Sequence, residues 1–315
     1  MADELNKSLE GMVSSFEADR QKSRKSYIIL VSIGVPMIVI GIVLFLLAFL
    51  YWDNTAVVAT GLILCIVGTI LTVIGTTIKS NFSKRLITSI KNQVNSNLFP
   101  KAVISPNQGM LLKKVMEPGF FATPDRYLAS DYMTATYEGI SFEQGKYRLQ
   151  RRETHTDSHG NTTTSYNDYA VGTMYRFQYE RDFGQIVKVL EKAGTLSFGG
   201  GGLKKVETEY IAFNKKFKIL ASDDTTVFYL LTPQIQEKIM DLEGKFKGQF
   251  YLAFIGNELF VAVNDSNTSL QVPFNEKITI ESIQPIVECL AIPAVFIKLL
   301  GLNKSKFEKN AGVKL

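Results

Sequence analysis

Ile28–Tyr51, IILVSIGVPMIVIGIVLFLLAFLY, and Ala56–Ile78, AVVATGLILCIVGTILTVIGTTI, decide how this chain is built. Neither run holds an Asp, Glu, His, Lys or Arg. Each exceeds the roughly 20 apolar residues that carry a helix across a hydrocarbon core of about 30 Å. The connector Trp52-Asp53-Asn54-Thr55 leaves room only for an antiparallel return. The pair therefore reads as a membrane hairpin. Two buried core helices are the competing reading, and core helices this long seldom lack a polar face. A secretory leader fits less well. The first run starts late and outlasts an h-region, and no small-residue cleavage site precedes the second.

The flanks set an orientation. Arg20, Lys22, Arg24 and Lys25 precede the first run, and Lys79, Lys84, Arg85 and Lys91 follow the second. The connector holds one acid and no base. Basic flanks stay on the cytoplasmic side, so both termini are expected in the cytoplasm and the tight turn outside. Tyr51 and Trp52 stand where an aromatic belt belongs. Gly34 and Gly41, and then Gly61, Gly68 and Gly75, recur at intervals of seven. Such small-residue stripes let membrane helices approach closely. The two spans are expected to pack on each other through them; a second copy of the chain is the alternative occupant. Pro36 removes one backbone hydrogen bond and is expected to kink the first span. With no ionisable residue in either span, an ion or proton path is disfavoured and an anchor is the simpler reading.

Outside the bilayer the apolar spacing continues. Leu5, Leu9, Met12 and Phe16 form a coiled-coil-like seam within an amphipathic helix over 2–26. Phe82, Leu86, Ile90 and Val94 repeat every four residues after the second span. The spans are expected to run on as two paired helices, and a partner helix on either seam is the functional alternative. Pro100 disfavours helix at Phe99, which places the end near Leu98. Residues 1–99 thus form an anchor with its extensions, and 100–315 a second domain.

About 215 residues remain, enough for one substantial core or two small ones. Short apolar helices are expected over 107–117, 224–231 and 233–246, the last with Thr232 as N-cap and Pro233 in its first turn. Strands are expected over 131–142, 146–154, 166–180, 185–190, 210–213, 216–220, 249–254 and 258–263. The polar stretch DSHGNTTTS, 157–165, tips a long hairpin, and Gly256-Asn257 turns another. Residues 279–300 are apolar but carry Pro285, Pro293, Glu281, Glu288 and Lys298. They read as a kinked helix packed on the sheet, with a third span as the alternative. Strands and helices come in blocks without βαβ alternation. The fold class is therefore α+β: a two-helix transmembrane hairpin with helical extensions, then a mostly antiparallel sheet with a few packed helices.

His155, Asp157 and His159 lie in the hairpin tip, where an extended strand sets the histidines roughly 13 Å apart, too far for one ion. FGGGGLKK, 198–205, lacks the lysine position and the following Ser or Thr of a phosphate loop, and reads as a connector. Asp223-Asp224 stands at a helix start, which favours acids without any ligand. The reading assigns no catalytic, cofactor-binding or metal residue and no cofactor. Cys65 and Cys289 are too far apart in context to pair and are expected reduced. The net charge of +5 lacks a basic stripe with interleaved aromatics, so nucleic acid is not a partner. That charge is compatible with an anionic membrane surface.

Several segments carry a family resemblance. They are Tyr137–Phe142 (YEGISF), Gly172 with Tyr175 and Phe177, Phe213–Ile219 (FNKKFKI) with Ala221–Asp224, Tyr229–Pro233 (YLLTP), and Leu259–Val263 (LFVAV). Together they resemble the DUF3137 family. The resemblance implies a bacterial inner-membrane protein of unknown function with two N-terminal spans and a cytoplasmic domain. It also implies a LemA-type membrane protein as a candidate partner, and it brings no catalytic residues. The expected function is a partner-binding scaffold or regulator anchored in the bilayer. The alternative is a membrane-tethered enzyme or small-ligand sensor, with a transporter or channel subunit as a third class.

Overall fold

A computed structural model describes residues 2–51, 55–156, 160–192, 202–265, 272 and 274–309. The chain divides into two compact units. One comprises Met1–Asn97 with Leu270–Leu290, and the other Leu98–Ser269 with Ala291–Leu315. The C-terminal segment thus contributes to both, which the boundary at 99/100 does not anticipate.

The first unit is helical. α1 runs from Ala2 to Tyr51 and α2 from Thr55 to Leu98, each continuous through its uncharged run and its amphipathic extension. Both are long and apolar enough to cross a membrane. The glycine stripe is the contact between them. A Cβ on Gly34 would fall 2.6 Å from Thr72 Oγ1 and 2.8 Å from the Gly68 carbonyl, and one on Gly41 would fall 2.7 Å from the Gly61 carbonyl. Only a missing side chain permits that approach. Away from the stripe, Ile29, Val39, Ile40, Leu50, Ile63 and Ile66 are more than half exposed, an apolar belt compatible with lipid.

In the extensions, Phe82, Leu86, Ile90 and Val94 are fully buried, as the four-residue repeat requires. On the α1 seam Leu9 and Val13 are buried, with Met12 and Phe16 at the margin; Leu5 lies outside the described side chains. The seam is filled by the protein itself. Phe82 packs edge-on against Phe16 at 6.3 Å and against Phe274 at 5.6 Å.

Among the described residues the second unit is built on one antiparallel sheet of nine strands, in the order β1-β2-β3-β4-β9-β8-β5-β7-β6. Its elements follow the chain as β1 (Val103–Ser105), α3 (Leu112–Met116), β2 (Arg126–Tyr137), β3 (Ile140–Thr156), β4 (Thr162–Gln178), β5 (Ile186–Glu191), β6 (Lys204–Val206), α4 (Ile211–Lys216), β7 (Phe217–Ala221), α5 (Asp224–Leu230), α6 (Pro233–Glu243), β8 (Gln249–Ile255), β9 (Glu258–Asn264) and α7 (Ile280–Leu300). The α+β class is as expected. One face packs on the helices around Phe177, Phe213, Phe217, Phe250 and Phe296. The other is covered by the segment holding Met110, Val115, Phe120 and Phe121.

Two expected elements differ. Residues 131–142 are not one strand. Glu138 (φ 47°) and Gly139 (φ 84°) form a left-handed pair that turns β2 into β3, the turn that suits strand twist. Residues 210–213 are not a strand either. The Asn214 carboxamide folds back on Thr208, its Oδ1 accepting from the backbone and hydroxyl at 3.1 Å, and this holds the chain as the single turn α4. α7 is a third helix long and apolar enough to cross a membrane, with a mean hydropathy of 1.8 against 2.9 and 2.6 for the other two. Ile283, Ile286, Phe296, Ile297 and Leu300 are buried in protein, and Phe296 sits among Tyr175, Phe177, Phe246 and Phe250.

Beyond Leu149 and Ala170, β3 and β4 run on as a bare ribbon. Arg151–Thr156 pairs with Thr162–Asn167, and almost every residue is exposed on both faces. Its contacts are few: Asn167 Nδ2 donates to Glu153 at 2.5 Å, Arg151 lies 5.1 Å from the Tyr169 ring, and at its base Arg152 N donates to Asp125 at 2.9 Å and Arg126 lies 5.3 Å from the Tyr166 ring.

Candidate functional site

Strand alternation places Tyr132, Thr134 and Thr136 of β2, Ser141 and Glu143 of β3, and Arg176 and Gln178 of β4 on one face of the sheet. They floor an open cleft of about 380 Å³ with Lys101 and Lys114 at its edge. The cross-strand register sets Thr134 opposite Glu143 and Glu143 opposite Arg176. α3 brings Lys114 over the same spot.

Glu143 is the centre. Lys114 Nζ donates to both carboxylate oxygens at 2.7 and 2.8 Å, and the Tyr132 hydroxyl donates at 2.6 Å. Arg176 Nη1 donates to the same carboxylate, while its Nε and Nη2 form a fork onto Glu258, with Nε at 2.8 Å. Two cations and two carboxylates thus close on one another. Burial pushes the Glu143 carboxyl up, but the donors from Lys114, Tyr132 and Arg176 outweigh it and hold it below the usual range. Burial, reinforced by the bond to Glu143, pushes the Tyr132 phenol up to about 12. Burial works against charge on Arg176, and its two carboxylate partners more than restore it.

None of these groups stood out in the sequence. The alternation MYRFQY marks Arg176 as polar among apolar neighbours, but it reads as a solvated face. Nothing local says that α3 covers it. Of the candidates weighed from the sequence, His155 is exposed on the ribbon, 3.8 Å from Glu153. Asp157 and His159 lie outside the described residues, as do Phe198–Gly201. Lys204 and Lys205 form an edge strand, and Lys205 pairs with Glu207 at 2.6 Å. Asp223, not Asp224, caps α5, accepting from Thr226 N at 2.7 Å. Thr232 precedes Pro233 at the start of α6 without a side-chain cap bond. Among the described residues no three His, Cys, Asp or Glu side chains gather in a way that could hold a metal ion.

The family model for DUF3137, a protein of unknown function, matches residues 170–302. That segment belongs to the DUF3137 family. The DUF3137 match takes in Arg176 and Glu258 but not Glu143, Lys114 or the two uncharged helices. Among solved structures, the crystal structure of the mycobacterial trehalose monomycolate transport factor A, TtfA, is similar at 9% identity. The likeness covers 69% of this chain and 95% of that one, with a TM-score of 0.38, too loose to transfer anything. No curated protein matches the chain.

Proposed function

We propose that this is a two-span protein of the bacterial inner membrane whose sheet unit, on the cytoplasmic side, receives a membrane-protein partner and acts as a scaffold or regulator. The uncharged helices pack on each other through backbone-close glycines, which leaves no polar path between them and fits an anchor. The basic flanks support the orientation.

The ribbon beyond Leu149 and Ala170 carries the reading. A two-stranded ribbon alone is marginally stable, because it buries too little apolar surface. Here Arg151–Thr156 and Thr162–Asn167 are nevertheless held in register while burying almost nothing. An arm of this kind gains its stability on contact with something else. A LemA-type membrane protein is the occupant the family resemblance supplies, and a second copy of the chain is the other. The cleft at Glu143 supports the runner-up, a tethered enzyme or ligand sensor. Its charges are spent on one another, and it is open to solvent, so it ranks second.

The test shortens the arm. Residues 152–166 are replaced by Asn-Gly, which closes the Arg151–Asn167 pair, and the tagged full chain is extracted from membranes in detergent. The expected result is an intact, membrane-inserted protein that loses the LemA-type protein or the second copy it otherwise retains. Retention of that partner by the shortened chain would reject the arm. Small-molecule retention without any protein partner would favour the cleft.

A further inference from the structure

A second polar feature of the sheet unit lies away from the Glu143 cleft, where the loop after β4, the end of α5 and the turn Ser305–Phe307 meet. Arg181 and Lys306 converge there on one ring. The Arg181 guanidinium carbon is 5.1 Å and Lys306 Nζ 4.9 Å from the Tyr229 centroid. Phe183 and Phe307 wall the spot, with Phe183 6.0 Å from Tyr229 and 5.8 Å from Phe307. The backbone fixes both cations: Arg181 N donates to the Phe307 carbonyl at 2.9 Å. Arg181 Nη1 donates to the Tyr229 hydroxyl at 2.9 Å and to the Lys306 carbonyl at 3.4 Å, and Lys306 Nζ donates to the Leu230 carbonyl at 3.2 Å.

The arrangement is unbalanced. No carboxylate pairs with either cation among the described residues. The nearby acids are turned elsewhere. Asp182 accepts from Gly184 N at 2.7 Å, and Glu180 from Lys309 N at 3.4 Å. Burial, and then the charge of Arg181, push the Lys306 amine down to about 8. Two like charges held beside one ring, with no counter-charge among the described residues, are costly to keep. Among the described residues, Arg181 Nε and Nη2 and two of the three Lys306 protons have no protein acceptor. Tyr229 is 41% exposed and Phe228 beside it 53%, so a ligand can reach them.

We propose that Arg181 and Lys306, converging on Tyr229, form a binding site for a phosphate monoester. A guanidinium edge offers two parallel donors to one phosphate, and the ammonium adds a point charge. A monoester is close to dianionic at neutral pH and balances both cations, whereas a carboxylate balances one. Free phosphate compounds and the headgroup of a phosphatidic-acid-type lipid present the same chemistry.

The test uses the full chain in nanodiscs of neutral lipid. The rate of acetylation of Lys306 at pH 8 is followed by mass spectrometry, with exposed Lys309 as the internal control. Glycerol 3-phosphate and inorganic phosphate are titrated in one arm; in the other, phosphatidic acid replaces part of the neutral lipid. Saturable protection of Lys306 but not Lys309 is expected, since a bound dianion holds the amine protonated. Protection by soluble phosphates assigns a free ligand, and protection by the lipid alone assigns a headgroup. Arg181→Gln should raise the half-protecting concentration at least tenfold, and Arg181→Lys, which keeps the charge and loses the fork, by a smaller factor. Lys306 acetylation that neither arm slows, or that is slowed equally in Arg181→Gln, overturns the site.

Discussion

Glu143→Ala tests whether the closed charge network holds the β2–β4 end of the sheet. The Glu143 side chain is 9% exposed, and its partners Arg176 and Lys114 are 21% and 31% exposed. Removing one member of a fully buried pair costs about 3–5 kcal/mol, because the other charge is left stranded. Here the stranding is partial. Arg176 keeps its fork on Glu258, and Lys114 is open enough to swing into water. That lowers the expected loss to about 2–3 kcal/mol. Glu143→Gln should lose nearly as much, since its amide group faces donors with further donors. Lys114→Met should lose about 1 kcal/mol. The assay is hydrogen exchange on the full chain in detergent, read at amides of 132–136, 141–145 and 174–178. A loss of 2–3 kcal/mol accelerates exchange through opening by roughly 30- to 150-fold.

The pH dependence has a fixed sign. The Glu143 carboxyl lies below its ordinary value of 4.5 in the folded protein. Its contribution is therefore complete above about pH 4.5 and fades as pH falls through the folded value. The gap between wild type and Glu143→Gln should be flat from pH 7 to 5 and shrink below that. Exchange in Glu143→Ala within threefold of wild type would refute the reasoning, as would a gap that grows on acidification.

Two further predictions concern the helical unit. Cys65 Sγ lies 3.7 Å from the Ile38 carbonyl across the glycine stripe, so Ile38→Cys in a Cys289→Ser background should oxidise within one chain. Non-reducing gels should show a monomer of altered mobility, and a disulfide-linked dimer would move the stripe to an interface between copies. Glu17 accepts from Arg20 at 2.7 Å and from Ile278 N at 2.9 Å, while Arg20 Nη1 donates to the Phe274 carbonyl at 3.0 Å. The bond to Arg20, together with that to Ile278 N, holds the Glu17 carboxyl down at about 2. Glu17→Gln should therefore speed exchange at 276–283 about tenfold at pH 7. The effect should be present above about pH 4.5 and lost toward pH 2, and unchanged exchange would reject the clamp.

What the sequence revealed follows the range of each signal. The hairpin helices are local. Uncharged runs, seven-residue glycine spacing and the Phe82–Val94 repeat each lie within one helix and so could be read directly. Strand type was legible from alternation, and the Gly256-Asn257 turn from its residues. Residues 131–142 misled because apolar and aromatic alternation runs straight through the Glu138-Gly139 turn. Residues 210–213 read as a strand because the side-chain bond from Asn214 to Thr208 is invisible in a string. The Glu143 site was illegible for a stronger reason. Lys114, Tyr132, Glu143, Arg176 and Glu258 meet only through register and the placement of α3. Arg181 and Lys306, separated by 125 positions, are a second case of the same kind.

The most direct test of the membrane scaffold is the side on which the arm stands. Thr163→Cys in a Cys65→Ser, Cys289→Ser background puts one thiol on the exposed ribbon. A membrane-impermeant maleimide is then applied to intact spheroplasts and to inverted vesicles. Labelling in inverted vesicles and protection in spheroplasts is the result this account requires. Labelling in intact spheroplasts would place the sheet unit outside the cytoplasm and contradict it.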